Sequence, residues 1–116
     1  MAWLPFQLHI NRNSTDVIGL LDTGATVNVL PFQIGLALGF EWLSVKSTIQ
    51  LTGGLGSIES RPVVANALIG NFQEVQLAFA RCKSPEVPLI LGNVNFFDCF
   101  RFNLIRPENR FELSMF

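Results

Sequence analysis

Apolar and polar residues alternate along the first part of the chain, as they do in a strand with one buried face. The alternating residues are Phe6, Leu8 and Ile10 on the apolar side and Gln7 and His9 on the polar side. The polar segment 11–16 has the composition of a turn. The more apolar run Val17–Leu21 indicates a second, more deeply buried strand. The pattern therefore predicts a β-hairpin over residues 4–21 that ends immediately before Asp22.

Similar patterns further along the chain predict more short strands and two small helices. The predicted strands are 27–30, 45–51, 58–64, 63–68, 72–80, 89–91, 100–104 and 111–113. Proline in a first turn and Gly39 as a C-terminal cap predict a helix from Pro31 to Leu38. Asn93 is expected to cap a second short helix that ends at Cys99. Many short strands with one or two small helices are typical of a mostly β, barrel-like fold, and we expect a single domain over residues 1–116.

A glycine-rich segment separates the predicted strands 45–51 and 58–64. Gly53, Gly54 and Gly56 interrupt the alternation, with Leu55 as the apolar residue between them. A strand, a glycine-rich tip and a second strand together predict a β-hairpin. A phosphate-binding loop is disfavoured because no Gly-Lys-Ser/Thr sequence follows the glycines.

Composition and charge narrow the possible partners. Hydrophobic residues make up 49% of the chain and charged residues 15%, which suffices for a core and leaves apolar surface that favours an oligomer. The net charge is −1 and no cluster of Lys and Arg occurs, so we expect no nucleic-acid partner. No apolar run is long enough to span a membrane, and the first residues do not resemble a signal peptide. These features predict no membrane partner and a cytoplasmic protein.

Cysteine and histidine are too few to suggest a metal site. Cys82 and Cys99 are the only cysteines, and two free buried thiols in a reducing compartment are favoured over a disulfide. His9 is the only histidine, so ligands for a metal are lacking and we expect no cofactor. A Ser-His-Asp or Cys-His site would have to use His9, and no nucleophile motif accompanies it.

The triplet Asp22-Thr23-Gly24 places an aspartate at the end of a buried strand and just before a turn. A carboxylate in that position is costly unless it accepts hydrogen bonds or shares a proton with a second carboxyl. Neither of the other aspartates suits such a pair, because Asp16 lies in a polar turn and Asp98 in the late helix. An aspartate in a simple turn, without catalytic function, is the alternative interpretation.

Three blocks of sequence, in order, resemble the retropepsin-like aspartic proteases over roughly Leu4 to Leu113. They are Leu-Leu-Asp-Thr-Gly-Ala at 20–25, Thr-Gly-Gly-Leu-Gly-Ser at 52–57 and Leu-Ile-Leu-Gly-Asn at 89–93. The resemblance implies an acid-protease closed barrel with one active-site half per chain. The glycine-rich segment then corresponds to the family's flap.

The resemblance also implies an activity and a set of site residues. The dyad would need two copies of Asp22 across a homodimer, which would hydrolyse an extended peptide or protein substrate by general acid–base catalysis. Thr23 would bond across the two-fold axis, and Gly24 would allow close backbone approach. The residues implied to bind substrate are Ala25, Thr26, Val29, Gly53, Gly54, Leu55, Gly56, Pro88 and Ile90. For Val29, Pro88 and Ile90 core packing is an equal alternative, and for the glycines an ordinary loose hairpin.

The chain departs from the retroviral members at two places. Those members carry an acidic residue at the position of Thr26 and an arginine at that of Asn93, and the two form an ion pair. Both residues are neutral here, so we expect a Thr26–Asn93 hydrogen bond instead. The C-terminal segment is also longer, with a predicted hairpin around 107–110 that is expected to build the dimer sheet through exposed Phe111 and Leu113.

Two other functions remain open from the sequence. A catalytically silent peptide-binding or dimerisation module could keep the same fold, although a pure scaffold would gain by replacing a buried carboxylate. A β-barrel that binds a small ligand would leave both Asp22 and the glycine-rich segment unexplained.

Overall fold

The computed structural model of the chain describes residues 1–42, 49–51, 58–84 and 87–116. The predicted glycine-rich tip, including Gly53, Gly54, Leu55 and Gly56, lies outside the described residues, as does most of the predicted strand 45–51. The strands are β1 Ala2–Ile10, β2 Asn13–Leu21, β3 Asn28–Leu30, β4 Ile49–Leu51, β5 Ile58–Leu68, β6 Val75–Cys82, β7 Ile90–Leu91, β8 Phe100–Ile105 and β9 Arg110–Met115. The helices are α1 Phe32–Ala37, α2 Phe96–Cys99 and a 3-10 turn at Arg106–Glu108.

The predicted N-terminal hairpin is confirmed. β1 and β2 pair antiparallel from Ala2 opposite Leu21 to Ile10 opposite Asn13. Asn11 adopts a positive φ of 53° in the tight turn, a conformation that asparagine tolerates better than most residues. The hairpin places Asp22 at the carboxyl end of β2.

Six strands close into a barrel, which confirms the expected mostly β architecture. The hydrogen-bonded order is β1-β2-β7-β3-β6-β5, and β5 pairs with β1 to complete the ring. β4 pairs with β5 outside this ring. β7 runs parallel to β2, and β3 runs parallel to β6, so strands far apart in sequence lie side by side around Asp22.

The core fills the barrel and extends beneath α2. Its most deeply buried side chains include Leu8, Leu30, Leu77, Leu91 and Phe96. The ring of Phe96 stacks on that of Phe100 with the centroids 5.0 Å apart, which anchors α2 on the barrel.

The first helix forms nearly where the sequence predicts it. Pro31 precedes α1, and Gly39 takes a φ of 88° just beyond its end, as a C-terminal glycine does. Gly35 lies within α1 because the guanidinium of Arg81 occupies the space where a side chain would be. A Cβ at position 35 would lie 2.5 Å from Cζ of Arg81.

Arg81 is fully buried beneath α1. Its Nη1 and Nη2 donate to the carbonyl oxygens of Phe40 and Phe32 at 3.2 and 3.0 Å, and its guanidinium lies over the Phe32 ring. No carboxylate among the described residues pairs with it, and burial lowers the pKa of Arg81 from its usual value. Arg81 therefore ties the segment after β3 to β6.

The second helix differs from the prediction in its cap. α2 begins after Asn95, whose side chain makes no capping bond, and Asn93 lies further upstream with other partners. The prediction that Asn93 caps this helix is wrong, because its amide is engaged by the loop after Asp22.

The C-terminal hairpin is confirmed as a separate two-stranded sheet of β8 and β9. Phe111 and Leu113 are partly buried against the barrel core, so the expectation that both are exposed on a single chain is wrong. The large apolar side chains that this part of the chain does expose are Leu104 and Phe116.

In the parts of the chain that the structure describes, no helix combines the length and apolar character needed to cross a bilayer.

Candidate active site

Asp22 is held where β2 meets β7. The amide of Leu20 donates to the Leu89 carbonyl at 2.9 Å, and the amide of Asp22 donates to the Leu91 carbonyl at 3.0 Å. The Asp22 side chain is only partly buried, at the mouth of this junction. The barrel therefore presents the Asp22 carboxylate on a backbone that two strands fix.

A tight turn wraps the backbone around this carboxylate. The Gly24 amide donates to Oδ1 of Asp22 at 2.9 Å, and the Ala25 amide donates to the Asp22 carbonyl at 3.1 Å. A Cβ on Gly24 would lie 3.3 Å from Oδ1, so glycine lets the amide approach without crowding.

The loop that carries Asp22 is hydrogen-bonded through its backbone to the turn at 92–94. The amides of Asn93 and Val94 donate to the carbonyls of Ala25 and Thr26, and the Asn28 amide donates to the Val94 carbonyl, all at 2.9 Å. Gly92 packs so closely that a Cβ there would lie 2.9 Å from the carbonyl oxygen of Ala25. Only glycine fits, which explains why the third sequence block carries one at this position.

Asn28 supports the Asp22 loop from the core and was not predicted from the sequence. It is fully buried, its Oδ1 accepts from the Gly92 amide at 2.7 Å, and its Nδ2 donates to the Ala78 carbonyl and to Oδ1 of Asn95 at 3.0 and 3.1 Å. Asn95 in turn bonds the backbone of β6 at Gln76 and Ala78. An asparagine inside the apolar run 27–30 was the available signal, because a buried amide needs several partners.

The expected Thr26–Asn93 side-chain bond is not what the structure shows. Nδ2 of Asn93 donates to the carbonyl oxygen of Thr23 at 2.9 Å, and Thr26 contributes its backbone carbonyl to Val94. The physical reason is geometric, since the fixed Asn93 backbone directs its side chain toward the start of the loop and not toward Thr26. Thr23, Gly24 and Thr26 are exposed.

The remaining implied substrate residues fall into two groups. Val29 and Ile90 are buried in a small apolar cluster with Ala80, Cys82 and Val87, against which Ala25 packs. Pro88 is exposed at the edge of this cluster. The structure thus brings Ala25, Val29 and Ile90 together beside the Asp22 loop, and their role as pocket residues stays a prediction.

Thiol chemistry has little support at this site. Cys82 and Cys99 are both free, and burial raises the pKa of each, which disfavours the thiolate. His9 pairs with Glu74 across β1 and the approach to β6. No group of three or more potential metal ligands occurs within the described residues.

Comparison with solved structures identifies the architecture. A retropepsin-like aspartic protease from Rickettsia conorii superposes with a TM-score of 0.65 at 17% identity, covering 90% of this chain and 87% of that one. The EIAV protease, solved in complex with the inhibitor HBY-793, superposes with a TM-score of 0.60 at 20% identity, covering 84% and 86%. The chain has the retropepsin-like fold. Neither a family model nor a curated protein sequence matches the chain, so the retropepsin-like fold is established through structure.

Proposed function

We propose that this chain is an aspartic endopeptidase whose dyad consists of two Asp22 residues contributed by two copies of the chain. The observation that carries the proposal is the Asp22 carboxylate, partly exposed in a retropepsin-like fold and held by the Gly24 amide. The chain supplies one such aspartate, so a second copy must supply the other.

Two adjacent carboxyls can perform both halves of peptide hydrolysis. Close like charges cannot both ionise easily, so one carboxyl keeps a proton while the other is ionised. The ionised Asp22 takes a proton from water, whose oxygen attacks the peptide carbonyl carbon, while the protonated Asp22 donates to the carbonyl oxygen. The carboxyl that took the proton from water then passes it to the peptide nitrogen, the C–N bond breaks, and the other Asp22 takes a proton back from a hydroxyl of the tetrahedral intermediate, which restores the dyad.

The substrate is proposed to be an extended peptide with apolar side chains. Ala25, Val29 and Ile90 belong to an apolar cluster next to the Asp22 loop, and we expect the adjoining pocket to favour apolar residues beside the cleaved bond. The hairpin that contains β4 and β5 would cover the substrate with its glycine-rich tip at 53–56, whose backbone amides could bond it.

The C-terminal hairpin is proposed to form the dimer contact. Among the described residues β8 and β9 pair only with each other, so the outer edge of each strand can accept a further strand from a second copy. A groove of about 500 Å³ beside the hairpin is lined by Trp3, Leu104 and Phe111 and flanked by Arg106 and Arg110. Trp3 and Leu104 are about half exposed, which provides apolar surface for a partner to cover.

A peptide-library cleavage assay tests the proposal. The wild type should cut a defined subset of peptides, and Asp22→Asn should show no cleavage above background because it cannot supply the base. Asp16→Asn, which removes the same charge from an exposed position, should cleave like the wild type. Peptide binding without cleavage by the wild type would instead indicate the catalytically silent module, and cleavage by Asp22→Asn would exclude the proposed mechanism.

A further inference from the structure

The peptide unit between Thr23 and Gly24 is held at both ends. Its carbonyl oxygen accepts from Nδ2 of Asn93 at 2.9 Å, and its N–H donates to Oδ1 of Asp22 at 2.9 Å. This unit is trans, so it is planar and its C=O and N–H point in opposite directions. Asn93 and Asp22 therefore hold opposite ends of one rigid group, and a rotation at one end moves the other.

The anchor at the Asn93 end is itself fixed. The backbone N–H of Asn93 donates to the Ala25 carbonyl at 2.9 Å, and the backbone N–H of Val94 donates to the Thr26 carbonyl. The backbone N–H of Gly92 donates to Oδ1 of Asn28 at 2.7 Å. The backbone of Asn93 is therefore secured at three consecutive residues, which leaves its side chain a defined direction toward Thr23.

The Asn93 side chain contributes little else to the fold. It is exposed, and its bond to Thr23 is the one side-chain hydrogen bond that it makes within the described residues. A hydrogen bond accepted by the carbonyl polarises the peptide and strengthens the donation from its N–H. The bond can thus matter for the carboxylate while contributing little to packing.

We propose that Asn93 is a positioning residue for Asp22. Its side-chain amide holds the carbonyl end of the Thr23–Gly24 peptide and so directs the N–H end toward the Asp22 carboxylate. This inference rests on the proposed function, because the positioning matters for catalysis only if Asp22 is the catalytic base. Asn93 acts through the peptide and does not touch the substrate.

The kinetic test compares Asn93→Ala with Asn71→Ala, which truncates an exposed asparagine in the turn before β6. In Asn93→Ala the Gly24 N–H is no longer held toward Asp22, so kcat should fall by about tenfold. KM should stay within about twofold, since the substrate contacts are intact. Asn71→Ala should match the wild type in both. Asn93→Asp, which keeps the shape but offers acceptors to the Thr23 carbonyl when ionised, should behave like Asn93→Ala. Wild-type kcat in both Asn93 variants would overturn the inference.

A second measurement does not depend on hydrolysis. Amide exchange of Gly24, followed by NMR in ¹⁵N-labelled protein, should become about tenfold faster in Asn93→Ala, with the amides of β1 and β2 unchanged. Exchange at Gly24 equal to that of the wild type would overturn the inference whatever the activity. If the wild type cleaves no peptide, the proposed function fails on its own account, and the Gly24 amide still decides whether Asn93 positions this turn.

Discussion

Asn28 supports the Asp22 loop through the turn at 92–94. Truncation to alanine would leave the Gly92 amide and the Ala78 carbonyl facing a buried gap. Because each buried polar group left unpaired is costly, we expect Asn28→Ala to lower the free energy of unfolding by roughly 2–4 kcal/mol. Urea unfolding at one fixed protein concentration measures this, with Asn71→Ala as the exposed control. Equal midpoints for Asn28→Ala and the wild type would show that the network contributes nothing.

At the same scale, the Asp-Thr-Gly triplet could be recognised from the sequence, but the residues that support it could not. Asp22, Thr23 and Gly24 could be recognised because their spacing is local. Gly92, the partner of Asn28, lies 64 positions away in the chain, and Thr23, the partner of Asn93, lies 70 positions away. No periodicity of the sequence relates these pairs. A side chain whose role depends on such a distant partner is visible only once the strands are paired.

The helix α1 carries an exception to ordinary helix propensity. Replacing glycine by alanine within a helix normally stabilises it by about 1 kcal/mol. Here the new methyl group would collide with the buried Arg81 guanidinium, so we expect Gly35→Ala to destabilise the protein by roughly 1–3 kcal/mol. In an Arg81→Ala background the space is vacant, and the same change should become stabilising. Thermal unfolding of the wild type, the two single variants and the double variant measures the sign of the stability change that Gly35→Ala causes in each background. Additive effects of the two substitutions would contradict the interpretation.

Elements with strong alternation were predicted in their place and type, although β2 begins at Asn13 and not at Val17, so that the predicted turn over 11–16 is too long. Elements set by distant contacts were predicted less well. The N-terminal hairpin and the C-terminal hairpin follow the pattern of their own residues. β5 is one continuous strand where the sequence suggested two, because its pairing with both β1 and β6 carries it through the polar positions. β6 extends to Cys82, beyond the predicted end at Ala80, because the sheet and α1 together bury Arg81.

At the scale of the whole molecule, the proposed dyad predicts that activity depends on protein concentration, because each chain would supply only Asp22 to it. We expect specific activity to fall when the protein is diluted through the dissociation constant of the dimer, because separated copies each hold half of the dyad. Adding excess Asp22→Asn protein should lower the activity of the wild type, because mixed dimers would hold only one functional Asp22. Adding Asp16→Asn should not lower it. Sedimentation at the same concentrations reports the oligomeric state, and full activity of a monomeric species would rule out the shared dyad.

The pairing of β2 with β7 also determines when this site can exist. The turn at 92–94 that carries the Asp22 loop is made some seventy residues after Asp22 during synthesis, and the parallel contacts it completes are among the slower kinds to form. A nascent chain therefore emerges with its aspartate present but without the scaffold that orients it. Because of this order, the ribosome must deliver most of the chain before the Asp22 loop can reach its final geometry.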